Sequence, residues 1–505
     1  MSKWLKKLAA LCCAAALLVC AGTALADGGE LIVAQAADAV SLDPHRTNDA
    51  ASAVPMFQIY DTLVKLDSDM KIVPGLATEW KQVDDYTLEF KLRQGVKFHN
   101  GEELKASDVK FTFDRITDPA TAAPAAFMLS TLKETKVVDD YTVQLVFSSK
   151  CASMLYNLTH VDMGILNEKA VTEAGEAYSQ NPVGTGAFRF VEWKKNQQIV
   201  LEKNPDYYGE PAKSDRLVFR IIPESATGIA ELQTGGVDVL LGVQPQYAPQ
   251  FAEGSGMKLE KFSTFTIKYL AFDVRQKPFD DVRVRQAINY ATNKDAIIKV
   301  AYSGSAEPLS GPLPEKINGY NPDLEPYPYD VEKAKALLAE AGYPDGFETT
   351  LYLSDKEVDT KIATVMQGML AQVGIRVDLQ VIEWGSYLKK TAEGLPMYIL
   401  GWTTVTADAD NGMYSNFHSS AWGSQGNRMF YKNDRVDELL DMGRSEYDPE
   451  ARVKLYQEAG QIIHDEAAWD FLAAEQAMVG MRDYVEGFEP VPTTFYDFAP
   501  VSANK

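Results

Sequence analysis

Between residues 330 and 381 the hydrophobic pattern alternates between a helical and a strand period, and only helices layered on a sheet satisfy both. Asp330 is placed to cap a helix whose Ala334, Leu337, Leu338 and Ala341 share a face, and Gly342 ends it. The Pro344-Asp345-Gly346 turn leads into a strand that reaches about Leu353. A second helix carries Ile362, Val365, Met366, Met369, Leu370 and Val373 on one side and closes at Gly374. Ile375, Val377, Leu379 and Val381 then alternate as a strand. The Met and Leu stripe reads as core rather than as a cofactor box. The same order occurs earlier: a strand from Leu217 to Ile222, a helix from Ala226 to Thr234 stopped by Gly235-Gly236, and a strand from Val237 to Leu240. That order predicts parallel neighbours joined by a right-handed crossover.

The remaining segments are shorter. Leu31 to Ala34 reads as a first strand, and Ala53 to Leu63 as a helix with Pro55 in its first turn. From Tyr86 onward short alternating strands (Thr87 to Leu92, Tyr141 to Phe147) are punctuated by Gly95 and Asn100-Gly101, and Asp108 helps cap a short helix. Asn181-Pro182-Val183-Gly184-Thr185-Gly186 breaks the chain before another strand, and its glycines allow either positive φ or close approach to another surface. Thr266 to Phe272 is an apolar strand, and Asp448-Pro449 opens a helix over about 450–466. No low-complexity linker occurs, so strands are expected to carry the chain between lobes.

Residues 1–26 read as a cleaved secretion leader: Lys3, Lys6 and Lys7, an apolar run from Leu8 to Val19, and an Ala24-Leu25-Ala26 site. Lipidation at Cys20 is the alternative, against which Val19 counts. No other run is long and apolar enough to span a membrane. Acidic side chains number 71 against 49 basic, three of the latter in the leader, a balance that argues against nucleic acid and mildly favours cationic ligands. Three of four Cys leave with the leader, so Cys151 forms no internal disulfide and reads as a small buried hydrophobe.

Motifs for chemistry are missing. Gly184-Thr185-Gly186 lacks the third Gly of a dinucleotide fingerprint, there is no phosphate loop or nucleophile elbow, and Ser130-Thr131-Leu132-Lys133 stands without partner motifs. The five His are scattered, with no metal-ligand spacing. No enzyme, metal or cofactor is expected. The stretch built for a ligand is 401–411, delivered by a strand from Met397 to Leu400. It offers the Trp402 indole, the hydroxyls of Thr403, Thr404 and Thr406, and the carboxylates of Asp408 and Asp410, the last suited to capping.

Several segments in order resemble the family 5 solute-binding proteins, receptors of peptide, dipeptide, nickel and glutathione ABC importers. They include Leu42-Asp43-Pro44, Ile59-Tyr60-Asp61-Thr62-Leu63-Val64, Pro74-Gly75-Leu76-Ala77, Leu92 to Gly101, Asn181 to Phe190, Asn204-Pro205-Asp206-Tyr207-Tyr208 and Asp280 to Ala287. The resemblance implies an α/β, two-lobed periplasmic binding protein fold (type II, cluster C-like) with an extra α+β domain inserted in the first lobe. It places residues 27–65, 181–268 and 480–505 in lobe I, 66–180 in the inserted domain and 269–479 in lobe II. It implies a periplasmic, monomeric receptor that captures a small peptide or peptide-like solute between its lobes. Partners would be permease and ATPase subunits on other chains.

Candidate contacts are Trp402, Thr403, Thr404, Thr406 and Asp408 from one lobe and Asn48 and Ser52 from the other, with Asp408 to meet an amine and Lys356 a carboxylate. The dipeptide receptors carry an amine-binding Asp where Val405 stands here, and their Arg-bearing loop is shortened to Ser354-Asp355-Lys356-Glu357-Val358. The stretch through Asn416-Phe417-His418-Ser419 looks closer to receptors for glutathione or other modified peptides. A metal-chelate or haem receptor using His418 or Tyr side chains, and an extracytoplasmic chaperone that holds extended peptides, are the competing readings.

Overall fold

The computed structural model describes residues 29–47, 49–423 and 426–505; the leader and Asn48 lie outside the described residues. Two strands organise everything else. Met257–Phe272 and Trp469–Arg482 lie side by side, antiparallel, in the middle of an 11-stranded mixed sheet. On one flank, residues 266–272 pair with Met397–Thr403, which is followed by Glu348–Ser354 and Arg376–Ile382. On the other flank, residues 479–481 pair with Val239–Leu241, followed by Glu30–Gln35, Arg216–Ile221, Gln198–Lys203 and Phe188–Lys194. The chain forms two lobes on one sheet, and the register between the two long strands shifts between Ser263 and Ile267.

The strand expected from Thr266 thus starts nine residues earlier, at Met257. The expected β-α-β unit is present as Arg216–Ile221, Ser225–Thr234 and Val239–Leu241, and Gly235 ends its helix in the left-handed conformation (φ 78°). Its strands are parallel but not neighbours, because Glu30–Gln35 lies between them and pairs with both.

Local chemistry accounts for most helix boundaries. Asp330 and Asp448 cap Val331–Glu340 and Pro449–Asp465 through backbone N–H groups of Lys333 and Ala451. The helix expected from Ala53 runs instead over Ala50–Ile59, started by Asp49, so Pro55 falls beyond its first turn. A proline there removes the hydrogen bond that the Ala51 carbonyl would accept. Gln35 Nε2 donates to that carbonyl at 3.2 Å and replaces the bond.

Residues 181–190 are a junction. Gly184 and Gly186 have no room for a Cβ, which would overlap the carbonyl oxygens of Ile59 and Gln58 at the end of the Ala50–Ile59 helix. Close approach, not positive φ, is what the glycines supply. His99 bridges both: Gly184 N–H donates to Nδ1 (3.3 Å) and Nε2–H donates to the Gly186 carbonyl (3.0 Å).

Separate apolar cores lie under each part. One gathers Leu31, Ile59, Phe188, Phe219 and Phe498. Two others, around Tyr269, Phe417 and Trp469 and around Phe272, Met366 and Leu370, support the opposite lobe. A further core, with Phe90, Phe113 and Leu145, belongs to a detached four-stranded sheet, Ala77–Asp84, Thr87–Leu92, Thr142–Phe147 and Leu132–Asp139 in spatial order. Cys151 is free and buried in that core. Beside it the chain touches the far lobe: Ala152 N–H donates to the Arg444 carbonyl (2.8 Å), and Ser153 Oγ donates to Asp410 (3.2 Å).

Candidate functional site

A cavity of about 340 Å³ lies where these cores meet. Phe57 and Tyr60 come from the Ala50–Ile59 helix and its C-cap, Lys65 and Asp67 from the segment after it, His160 and Val161 from the connection that follows Met154–Asn157. The last stretch of the chain contributes Glu489, Val491, Phe495 and Asp497, and the loop after Met397–Thr403 contributes Val405. The volume and the aromatic lining are those of a small-molecule site. Phe495 is fixed between Phe57, stacked at 6.5 Å, and the edge of His160 at 5.3 Å.

Burial sets the charges of this cavity. His160 is 6% exposed, and its Nδ1 accepts the backbone N–H of Asp162 at 3.3 Å. Nδ1 also lies 3.4 Å from Asp162 Oδ2, and with that carboxyl protonated both neighbours donate to Nδ1, which leaves the proton of the neutral ring on Nε2. Burial lowers the imidazole to about 4, so it is uncharged at neutral pH. Asp162, 1% exposed, has no hydrogen-bond partner on either carboxyl oxygen among the described residues. Burial first and the Asp49 carboxylate second push it up to about 8. Lys65 Nζ lies 2.5 Å from Asp61 Oδ1 and donates to Tyr207 at 3.2 Å, and these partners hold its ammonium protonated against the cost of burial.

The expected contact residues fall into two groups. Trp402 is the penultimate residue of the strand that delivers the loop and does not line the cavity; its ring packs on the Tyr269–Trp469 core, and its buried Nε1–H meets no acceptor among the described residues. Thr406 Oγ is equally buried and unpartnered. Thr403 is exposed beside Thr266, its hydroxyl 3.0 Å away, and the Thr404 N–H is tied to the Phe265 carbonyl at 3.1 Å.

The others are placed differently. Asp408, expected to meet an amine, is fully buried and held by both terminal nitrogens of Arg452, with further donors from Asn318 Nδ2 and the Asp410 N–H. Its carboxylate is used up internally. Asp410, expected to cap, instead pairs with Arg444 at 2.9 Å. Ser52 is also buried: its hydroxyl donates to Asp49 (2.6 Å) and accepts the Val40 N–H (2.8 Å), fastening the start of a helix. Lys356 is exposed with its ammonium 3.7 Å above the Trp384 ring, a cation–π contact away from the cavity lining. Asn48 lies outside the described residues.

Sequence reading missed Phe57, Lys65, His160, Asp162, Phe495 and Asp497. A signal existed for two of them, because His160 and Asp162 alternate with apolar residues in the otherwise hydrophobic run 158–166.

Comparison with known proteins follows the geometry. The family model of bacterial extracellular solute-binding proteins, family 5 (middle), matches residues 71–424. The chain is 34% identical over 482 residues to the glutathione-binding protein GsiB of Pectobacterium atrosepticum, covering 93% of each. Among solved structures it is similar to the ABC transporter-associated periplasmic binding protein DppA from Helicobacter pylori in complex with peptide STSA. That match has TM-score 0.79 and 34% identity, and covers 95% of this chain and 98% of that one. It is also similar to HbpA2 from Haemophilus parasuis, with TM-score 0.88, 29% identity, and coverage of 94% and 100%.

Proposed function

This chain belongs to the bacterial extracellular solute-binding proteins of family 5, and on that premise we propose that it is the solute receptor of an ABC importer. It captures a small peptide or peptide-like solute between its lobes and presents the closed complex to a membrane permease. The observation that carries the reading is the aromatic-walled cavity at the meeting of the cores, lined by residues from 57–70, 159–161 and 489–500 and closed from the second lobe by Val405. A ligand touching both walls is bound more tightly when they approach, so it shifts the receptor toward closure. The names of the relatives support the ligand class: one binds glutathione, another was solved with a tetrapeptide.

In this reading residues 1–26 are a cleaved leader, the receptor works as a periplasmic monomer, and 66–180 are an insertion between parts of lobe I. Trp402 and Thr406, whose buried polar atoms are unpartnered, flank the cavity-lining Val405 and come into reach of the solute only as the lobes close, and no bond of the ligand is made or broken. Titration calorimetry with reduced glutathione and with the peptide STSA, paired with small-angle scattering, tests it. Binding accompanied by contraction of the particle is expected. Binding without contraction would overturn the closing receptor, and unchanged affinity in Trp402→Ala would remove Trp402 from the site.

A further inference from the structure

We infer, resting on the reading of the cleft just given, that the cavity takes peptide-like solutes by an ammonium among Asp67, Glu489 and Asp497 and by an amide carbonyl on His160, with no anchor for a free carboxylate.

His160 is a donor at Nε2. Its Nδ1 faces the Asp162 N–H at 3.3 Å and the protonated Asp162 carboxyl at 3.4 Å, both donors to it, the Phe495 edge contact holds the ring, and Nε2 has no hydrogen-bond partner among the described residues. An uncharged donor in an aromatic enclosure suits an uncharged acceptor, and the backbone carbonyl of a peptide is that group.

The charges around it weigh against a carboxylate anchor, although Lys65 acts on Asp497, whose carboxyl burial raises. Lys65 is the one cation among the residues lining this cavity, and Asp61 neutralises it at 2.5 Å. Asp67, Glu489 and Asp497 line the same space, and no cation bridges to any of them among the described ion pairs. Asp497 holds one oxygen on the Ala499 N–H at 2.8 Å, and Asp67 accepts the N–H groups of Asp69 and Lys71 on Oδ1, each leaving the second oxygen free of described bonds. A ligand carboxylate would meet a negative field here, and a ligand ammonium would relieve it. Lys356, the cation that replaces the usual carboxylate-binding residue, stands over Trp384 instead of lining this space. Phe57, Phe495, Val405 and Val491 are left to enclose an apolar side chain of the ligand.

Native mass spectrometry of the purified protein with three tetrapeptide pools of equal sequence content tests this: free-acid, C-terminally amidated, and N-acetylated. The amidated pool is expected to be retained at least as well as the free-acid pool, and the acetylated pool about tenfold less, one charge-assisted contact being lost. Retention of the free-acid pool tenfold above the amidated one, or equal retention of the acetylated pool, overturns the inference and leaves the receptor reading standing. Retention of no pool overturns both. His160→Phe, which keeps the ring but not the donor, should lower retention about tenfold. His160→Gln should restore it; loss in Phe that Gln does not restore, at matched melting temperature, assigns His160 to packing and overturns the carbonyl contact.

Discussion

Replacing Asp162 by Asn should stabilise this protein, and by an amount that grows with pH. The carboxyl is 1% exposed, neither oxygen makes a hydrogen bond among the described residues although Oδ2 lies 3.4 Å from the neutral His160 ring at Nδ1, and burial with Asp49 nearby pushes it up to about 8. In the unfolded chain an Asp titrates near 3.9. Between those values the folded state holds a proton that the unfolded state has released, so stability falls as pH rises across that window. The slope is about 1.4 kcal/mol per pH unit. Asn is uncharged throughout and nearly isosteric with the protonated acid, so the variant lacks this loss. The stability difference between Asn and Asp should therefore widen by about 3 kcal/mol between pH 5 and pH 7.5. Urea unfolding of both proteins at the two pH values, followed by the fluorescence of the Trp residues, measures the widening without needing the absolute value at either pH. A difference that is the same at both pH values, or that favours Asp at pH 7.5, would refute the reasoning, since it would mean an ionised carboxylate with a partner.

The buried histidines work in the other direction. His160 and His45 are lowered to about 4 and about 3 by burial, so each makes folding weaken as pH falls below 6.5, by about 1.4 kcal/mol per unit until its folded value is reached. Because buried acids such as Asp162 act oppositely, the measure is the stability difference between His160→Phe and wild type by urea unfolding. It should shift in the variant's favour from pH 7 to 4.5, and a constant difference would contradict it. Asp408→Ala leaves the Arg452 cation buried without its partner and should cost about 3–5 kcal/mol, read as a lowered melting temperature. Loss of ligand affinity at unchanged stability would instead return Asp408 to the binding site. Gly184→Ala forces a methyl onto the Ile59 carbonyl and should cost about 1–3 kcal/mol in chemical denaturation, whereas a neutral result would show that the junction gives way freely.

What could be read in advance divides by the range of the interaction. Helix caps are local, and Asp330, Asp448 and Gly235 are found in the roles their neighbours in sequence imply. Strand order is not local. Nothing near residues 216–241 announces that Glu30–Gln35 inserts itself between two strands of a β-α-β unit. The candidate site shows the same division. A Trp near a strand end stands out in sequence, and the unpaired indole donor of Trp402 agrees with the expectation without placing it on the cavity wall. A carboxylate in a hydroxyl-rich loop looks identical whether it awaits a ligand or an Arg 44 residues further on, and Arg452 decided the matter for Asp408. Ser52 misled for a similar reason, since a helix-starting hydroxyl and a ligand-facing one share a sequence signature. The cavity wall at 489–500 has no periodicity at all, and only the return of the chain to the mouth of the cleft gives Phe495 and Asp497 their place.

The contact of Ala152 and Ser153 with Arg444 and Asp410 has a mechanical consequence. Two lobes joined only by a ribbon of paired strands could bend, twist or shear. A second fastening, remote in sequence and carried by the detached four-stranded sheet, removes that freedom: any rigid swing that preserves both attachments must turn about the line through them, as a door turns on two pins. Only losing the whole fastening, the Ser153–Asp410 and Ala152–Arg444 bonds together with those of Tyr447 to Cys151 and Asp85, would leave the jaw free to wobble rather than merely loosen its grip.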